Sequence, residues 1–488
     1  GLAQSTSSHS IDENGSVTIG GTFNNPGSTS GHTATITWGD GSAATVIHLD
    51  AGVFQFGPVE HQYLDNAGGG GAYSIHVTVT DASHAGLSAN APLTVLNVRP
   101  TAVITSSGPA RVHDAVSVSM TGSDASSVDA ASLRYVFSTS QAVRDGAGYT
   151  TAGTAASQSF SFAQPGTYTI YGRVLDKDGG YTDCQTDVTI DPPLSLYWDA
   201  NGTAAGLGGS GIWDASAANW TTNPLGNSST IAWVAGSNAV FQGTAGTVTV
   251  SGTMSFETLR FDTGGYLVQL GTLALQAYGD LATIAVTGVG NTATISSVLS
   301  GGSGLTKLGD GVLVLAAANG YGGSTVVSAG TLATSGGAAI PDASPIAVAA
   351  DAVFQVAGNE TVRSLSGGGS VILAQGVLTV GANDASSTFS GTISGSGGLA
   401  KIGSGTLTLS GVNTFTGGTT ASGGTLSVNT LSDVPGQVSA LGTSGTITVS
   451  SATFQYTGSA TASTSRYNGG GSGGGIAGTT VIDVSQAA

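Results

Sequence analysis

The sequence predicts an all-β protein, two β-sandwiches followed by a right-handed parallel β-helix, and three observations carry that expectation. Glycine supplies 79 of 488 residues while 40% are hydrophobic and 8% charged. This is too apolar for a flexible glycine-serine polymer and too glycine-rich for long helices, so folded, turn-rich β-structure follows. Short runs alternate with the strand period of two, as in "SIHVTVTD" from Ser74 and "GTLTLSG" from Gly405. Finally, "GLTKLGDGVLVLAAANGYGGSTVVSAGTL" from Gly304 aligns without a gap on "GLAKIGSGTLTLSGVNTFTGGTTASGGTL" from Gly398, 94 residues on. A repeat of that length spans several coils of a solenoid rather than one.

The first segment, residues 1–98, reads as strands broken by tight turns. In "SIHVTVTD" Ile75, Val77 and Val79 share one face and His76 and Thr78 the other, the pattern of a half-buried sandwich strand. With "TWGDGS" at Thr37–Ser42, "HQY" at His61–Tyr63 and "YSIHVTVTD" from Tyr73, this segment resembles a PKD domain, an immunoglobulin-like sandwich of extracellular proteins. Trp38 is then expected in the core, and Asp40 with Gly41 in the turn that follows its strand. Residues 99–193 form a second, divergent unit. Its latter half, "FAQPGTYTIYGRVLDKDGG", resembles the same family, whereas "LRYVFSTS" stands where the tryptophan and Gly-Asp-Gly turn would be.

Beyond Pro193 the composition changes: four of five tryptophans fall between Trp198 and Trp233, and no histidine follows His113. Residues 194–488 are expected to form the β-helix, with the tryptophan-rich start capping one end. Asp-Gly turns are scarce here, which disfavours hairpins and favours parallel coils. The two copies, together with "RSLSGGGSV" from Arg363 and "WDASAANW" from Trp213, resemble autotransporter-associated β-strand repeats of bacterial surface proteins. That resemblance implies a passenger-like stalk. Asn319 and Asn413 occupy equivalent corners and are read as a structural asparagine stack. Lys307 and Lys401 are read as solvated stems lying over apolar surface.

Composition excludes several functions. A net charge of −17 repels phosphate backbones, so nucleic acid is not an expected partner. Cys184 is the single cysteine, which leaves no intramolecular disulfide and no cysteine-built zinc site. The longest apolar run, Val312–Ala318, is far short of the ~20 residues that cross a bilayer. The start at Gly1, without a methionine or a basic leader, points to a longer parent.

Chemistry-bearing constellations are sparse. "GGSGG" around Ser472 fits Gly-x-Ser-x-Gly formally but lacks the strand, helix and histidine of a hydrolase elbow. The scattered Asp310, Asp342, Asp351 and Asp384 make a poor glycosidase pair. Calcium is the one candidate cofactor, with Asp40, Asp81, Asp176 and Asp178 as its candidate ligands. "DKDGG" at Asp176 looks like the start of a calcium loop but has no distal glutamate, so a turn is the favoured reading.

These readings lead to a non-enzymatic extracellular protein of the bacterial cell surface, secreted or anchored in the outer membrane, adhesive or structural. Alternatives are a self-assembling filament, sheath or surface-layer subunit, and a carbohydrate-binding or polysaccharide-degrading β-helix. The expected partners are other copies of the chain, surface glycans or matrix. Tyr63, Tyr73 and His61 are the glycan-contact candidates.

Overall fold

A computed structural model describes residues 1–488 apart from 26–27, 83–85, 203, 277–280, 433–438, 459–465, 469–481 and 485–488. Ser472 and its glycines therefore lie outside the described residues. The chain divides into two compact units, Gly1–Asp191 and Pro192–Ala488.

In the first unit, Leu2–Thr6, Ser16–Phe23 and Gln55–Gln62 form an antiparallel three-stranded sheet. A second sheet orders Ser10–Asp12, Gly86–Leu96, Ala72–Thr80, His32–Thr37 and Thr45–Leu49. Val17, Ile19, Ile36, Trp38, Ile75, Val77 and Leu93 fill the space between the two, each at most 1% exposed. Burying a side chain of this size stabilises the fold by roughly 1.5–3 kcal/mol. Trp38 Nε1 donates to Thr45 Oγ1 at 3.1 Å, and its ring stacks on His61 at 4.3 Å.

Residues 99–191 build a second pair of sheets. Ala110–Arg111, Tyr181–Asp191, Gly166–Leu175 and Arg134–Ser138 form one; Ser157–Phe160, Val116–Ser123 and Thr101–Ser106 form the other. Met120, Leu133 and Val174 pack at its centre, where Cys184 Sγ lies 3.4 Å from Met120 Sδ.

The second unit is a β-solenoid. Among the described residues, and apart from the pair Ser195–Trp198 with Trp220–Thr221, its paired strands run parallel, in ladders of sixteen, nine and six strands. The nine-stranded ladder, one strand per coil, marks about nine turns, and the sixteen-stranded one continues past it. Strict alternation sets the interior: in Thr406–Leu409 both leucines are buried and both threonines half-buried. Register then stacks like on like, so Leu313, Leu332, Phe354, Val371 and Ile393 form one buried column through five coils. Trp198, Trp213, Trp220 and Trp233 pack edge-on or tilted around Phe241 at the beginning of this core, with Trp220 and Trp233 4.6 Å apart.

Two expectations for the repeat are corrected. Lys307 and Lys401 are not solvated stems: they are 0% and 1% exposed, with the ammonium turned inward. Lys307 Nζ donates to the carbonyls of Leu308, Gly309 and Ala329 at 2.8, 2.6 and 3.1 Å. Lys401 Nζ meets Ile402, Gly403 and Gly423 in the same way. Three donors matched by three carbonyls satisfy an ammonium with no counter-ion. Nor do the asparagines stack on one another. Asn319 Oδ1 accepts from Leu299 N at 2.8 Å and its Nδ2 donates to Ala339 O at 2.8 Å, joining the coils on either side. Asn413 bridges Ile393 N and Ala440 O likewise.

Candidate functional site: carboxylates between two sandwiches

Strand ends and turns of the first unit bring six carboxylates together where its two sandwiches meet. Glu13 follows Ser10–Asp12 and Asp65 follows Gln55–Gln62; Asp124 and Asp129 flank Ser126, and Asp176 and Asp178 lie in the turn after Gly166–Leu175. Asp176 holds that turn through its Oδ1, which accepts from the backbone N of Asp178 and Gly180 at 2.9 and 2.8 Å. A Cβ on Gly180 would sit 2.1 Å from Asp176 Oδ2, so any side chain here would have to displace that carboxylate from its place. The linker joins in: Val98 N donates to Glu13 Oε1 at 2.8 Å, and Asn97 Nδ2 to Asp176 Oδ2 at 3.1 Å.

Two overlapping triads emerge. Glu13, Asp124 and Asp129 form one; Asp65, Asp129 and Asp178 form the other; within each, ligand oxygens lie within 4.8 Å of one another. Lys177 Nζ serves the second triad, reaching Asp65 Oδ1 at 2.9 Å, Asp129 Oδ1 at 2.8 Å and Asp178 Oδ2. The first triad differs. Glu13 is 3% exposed and Asp129 0%, yet no N–H or hydroxyl group donates to Glu13 Oε2, Asp124 Oδ2 or Asp129 Oδ2, and Asp124 is left to share a carboxyl proton with Glu13. Two carboxylates at this separation repel by roughly 3 kcal/mol at an effective dielectric constant of ~20. Burial, reinforced by Asp129, Asp124 and Asp65, accordingly pushes the Glu13 carboxyl up to about 7. Burial likewise raises Asp124 and Asp129, against the hydrogen bonds that each accepts. The donor set is oxygen only, which suits a hard cation such as calcium and not zinc or copper.

Only two of the four ligands expected from the sequence, Asp176 and Asp178, belong to this cluster. Asp40 instead pairs with His61 Nε2 at 2.7 Å and accepts from Ser42 N at 2.9 Å. Burial works against that carboxylate, but the bonds from Ser42 and His61 outweigh it and hold its pKa low. Asp81 accepts from Asn25 Nδ2 at 3.0 Å. Of the glycan-contact candidates, Tyr63 is fully buried and its hydroxyl donates to Trp38 O at 2.9 Å, so it is a core residue. Glu13, Asp65, Asp124 and Asp129 were not among the expected ligands. Their signal was a recurrence of acidic turns at strand ends, "IDENG", "LDNAG", "SDASSVDA" and "LDKDGG".

Comparison with known proteins bears on the solenoid. The Passenger-associated-transport-repeat model matches residues 305–333 and 399–428, the two segments of the internal repeat. In these two segments the solenoid is similar to passenger repeats. The chain is also 39% identical over 283 residues to the adhesin BmaC autotransporter of Brucella suis biovar 1 (strain 1330). That match covers 55% of this chain and 8% of the relative, so the chain spans a small part of that protein's length. Among solved structures, a protocadherin GammaB4 extracellular domain aligns over 43% of this chain and 36% of its own, at 11% identity. Its TM-score of 0.17 is too low to carry any argument.

Proposed function

We propose that this chain is part of a non-enzymatic adhesive protein of the bacterial cell surface, in which a passenger-like solenoid carries two PKD-type sandwiches that make the adhesive contact. The observation supporting it most strongly is the 39% identity over 283 residues to an autotransporter adhesin, joined to two passenger repeats in the solenoid. The physical character of the solenoid agrees. Its buried lysines and asparagines are consumed by backbone groups, so they are structural rather than reactive. The PKD-type assignment rests on the Trp38 strand followed by the turn in which Asp40 accepts from Ser42, with glycines at positive φ at 39 and 41.

The test is surface display on a non-adherent laboratory bacterium, with attached cells counted on epithelial monolayers and on immobilised matrix proteins. Display of residues 1–488 is expected to raise attachment at least about tenfold over display of 192–488. Equal attachment by the two would overturn the assignment of adhesion to the sandwiches, and attachment no higher than an undecorated strain would overturn adhesion itself.

A further inference from the structure

We propose that a calcium ion binds Glu13, Asp124 and Asp129 and ties the first sandwich to the second, with the Lys177 ammonium acting as the built-in cation of the neighbouring triad. This goes beyond the adhesive reading and does not depend on it.

The two triads differ in the charge each already holds. In the Asp65, Asp129 and Asp178 group, Lys177 lies within ion-pair distance of all three carboxylates. That group is neutralised by the chain's own charge. In the Glu13, Asp124 and Asp129 group, no N–H or hydroxyl reaches Glu13 Oε2, Asp124 Oδ2 or Asp129 Oδ2, and the one hydrogen bond within the group is the carboxyl–carboxyl contact of Glu13 with Asp124. Buried acceptors of this kind need a proton or a cation between them. Calcium takes oxygens at about 2.3–2.6 Å, which places two ligands of one ion no more than about 5 Å apart. The 4.8 Å bound on this triad fits that sphere.

The ligands are supplied from both sides of the junction. Glu13 is held by the first sandwich through its own N to Leu96 O at 3.0 Å, and its second oxygen is fixed by Val98 N. Asp124 is oriented by Ser126 N at 2.9 Å, and Asp129 by its own N to Ser126 Oγ at 3.2 Å. In each of Glu13 and Asp124 one oxygen is thus used for positioning and the other left for a ligand. In Asp129 one oxygen faces Lys177, and the other is left for the ion. Asn97, in the linker itself, also has an unpartnered Oδ1. A cation shared across Asp129 makes the relative setting of the two sandwiches depend on calcium.

The experiment is isothermal titration of the metal-stripped full chain with calcium chloride. One saturable site is expected, with a Kd of about 0.1–1 mM, the range of extracellular calcium modules. Glu13→Gln and Asp124→Asn are each expected to weaken it at least about tenfold, and Asp40→Asn to leave it unchanged. Near-UV circular dichroism verifies that each variant keeps its packed aromatic core. On the unsubstituted chain, 10 mM calcium is expected to raise the melting temperature of the first unit by about 2 °C or more, and chelator to reverse this. No saturable heat, equal affinity in Glu13→Gln and Asp124→Asn, or melting indifferent to calcium would each overturn the proposal, leaving a shared proton to hold the triad together.

Discussion

A buried ammonium survives in this solenoid because the coil corner presents three backbone carbonyls to it. Lys307 spends all three protons on Leu308, Gly309 and Ala329, the last from the next coil. Burial still pulls its pKa down to about 8, with Asp310 acting in the opposite direction. Glu360 solves the mirror problem. Its oxygens accept from Ala339 N and Ile340 N, both at 3.2 Å, one coil below. Burial nevertheless raises its carboxyl to about 7, despite those two hydrogen bonds. The folded chain therefore keeps this proton up to about pH 7, whereas the unfolded chain releases it near the ordinary value of 4.5. The folded state holds more protons between those values, so the stability contributed by this group is complete below pH 4.5 and lost as pH rises towards 7. Glu360→Gln removes that dependence. Compared with the parent, the variant is expected to gain up to about 3 kcal/mol between pH 4.5 and pH 8, read from denaturant midpoints at each pH. Parallel pH profiles for the two chains would show that the carboxyl stays ionised when buried.

Coils stack closely enough that some corners admit only a hydrogen in place of a side chain. A Cβ on Gly391 would meet Gly369 O at 1.9 Å, and one on Gly411 would meet Gly391 O at 1.7 Å. Neither contact can be relieved by rotating a side chain, since both partners are backbone. Gly411→Ala is therefore expected to cost about 3 kcal/mol, at the upper end of overpacking penalties. Gly320→Ala, with open space around the added methyl, is expected to change stability by less than about 1 kcal/mol. Thermal melts of the two variants check the contrast. The same strands show what the sequence disclosed and what it hid. Alternation in "GTLTLSG" correctly placed Leu407 and Leu409 inside. In "GLTKL" that rule also turns Lys307 inward beside Leu305 and leaves Leu308 half in solvent, and judging lysine by its charge reversed the answer. Coil length was not legible. Paired residues are 20 apart at Leu305 and Thr325, 22 at Gly367 and Phe389, and 28 at Leu426 and Phe454. Because of this variation the 94-residue repeat does not return to its own face. Gly304–Leu308 lies in the sixteen-stranded ladder, while its equivalent, Gly398–Lys401, lies in the six-stranded one.

Each of the two units contains its own buried core, and this decides how the chain responds to truncation. Among the described residues, one cluster makes the solenoid interior from Leu196 to Tyr456. Its tryptophan cluster closes the start of that core from within residues 198–241. The sandwiches, by contrast, depend on one another. The carboxylate cluster takes Glu13 and Asp65 from one and Asp124, Asp129, Asp176 and Asp178 from the other, segments up to 165 residues apart in sequence, so no local spacing could have disclosed it. Tertiary folding alone assembles that charge, and Lys177 must be present to balance part of it. Residues 192–488 produced alone are accordingly expected to fold, with a β-type far-UV spectrum and a cooperative melt within about 3 °C of the solenoid transition in the full chain. Residues 1–98 produced alone are expected to lose stability relative to 1–191, because Asp65 then loses Lys177 and Asn97 loses Asp176 as partners. A broad, non-cooperative melt for 192–488 would show instead that the solenoid needs the sandwiches as its cap, and the tryptophan cluster would then not be the closure that its packing indicates.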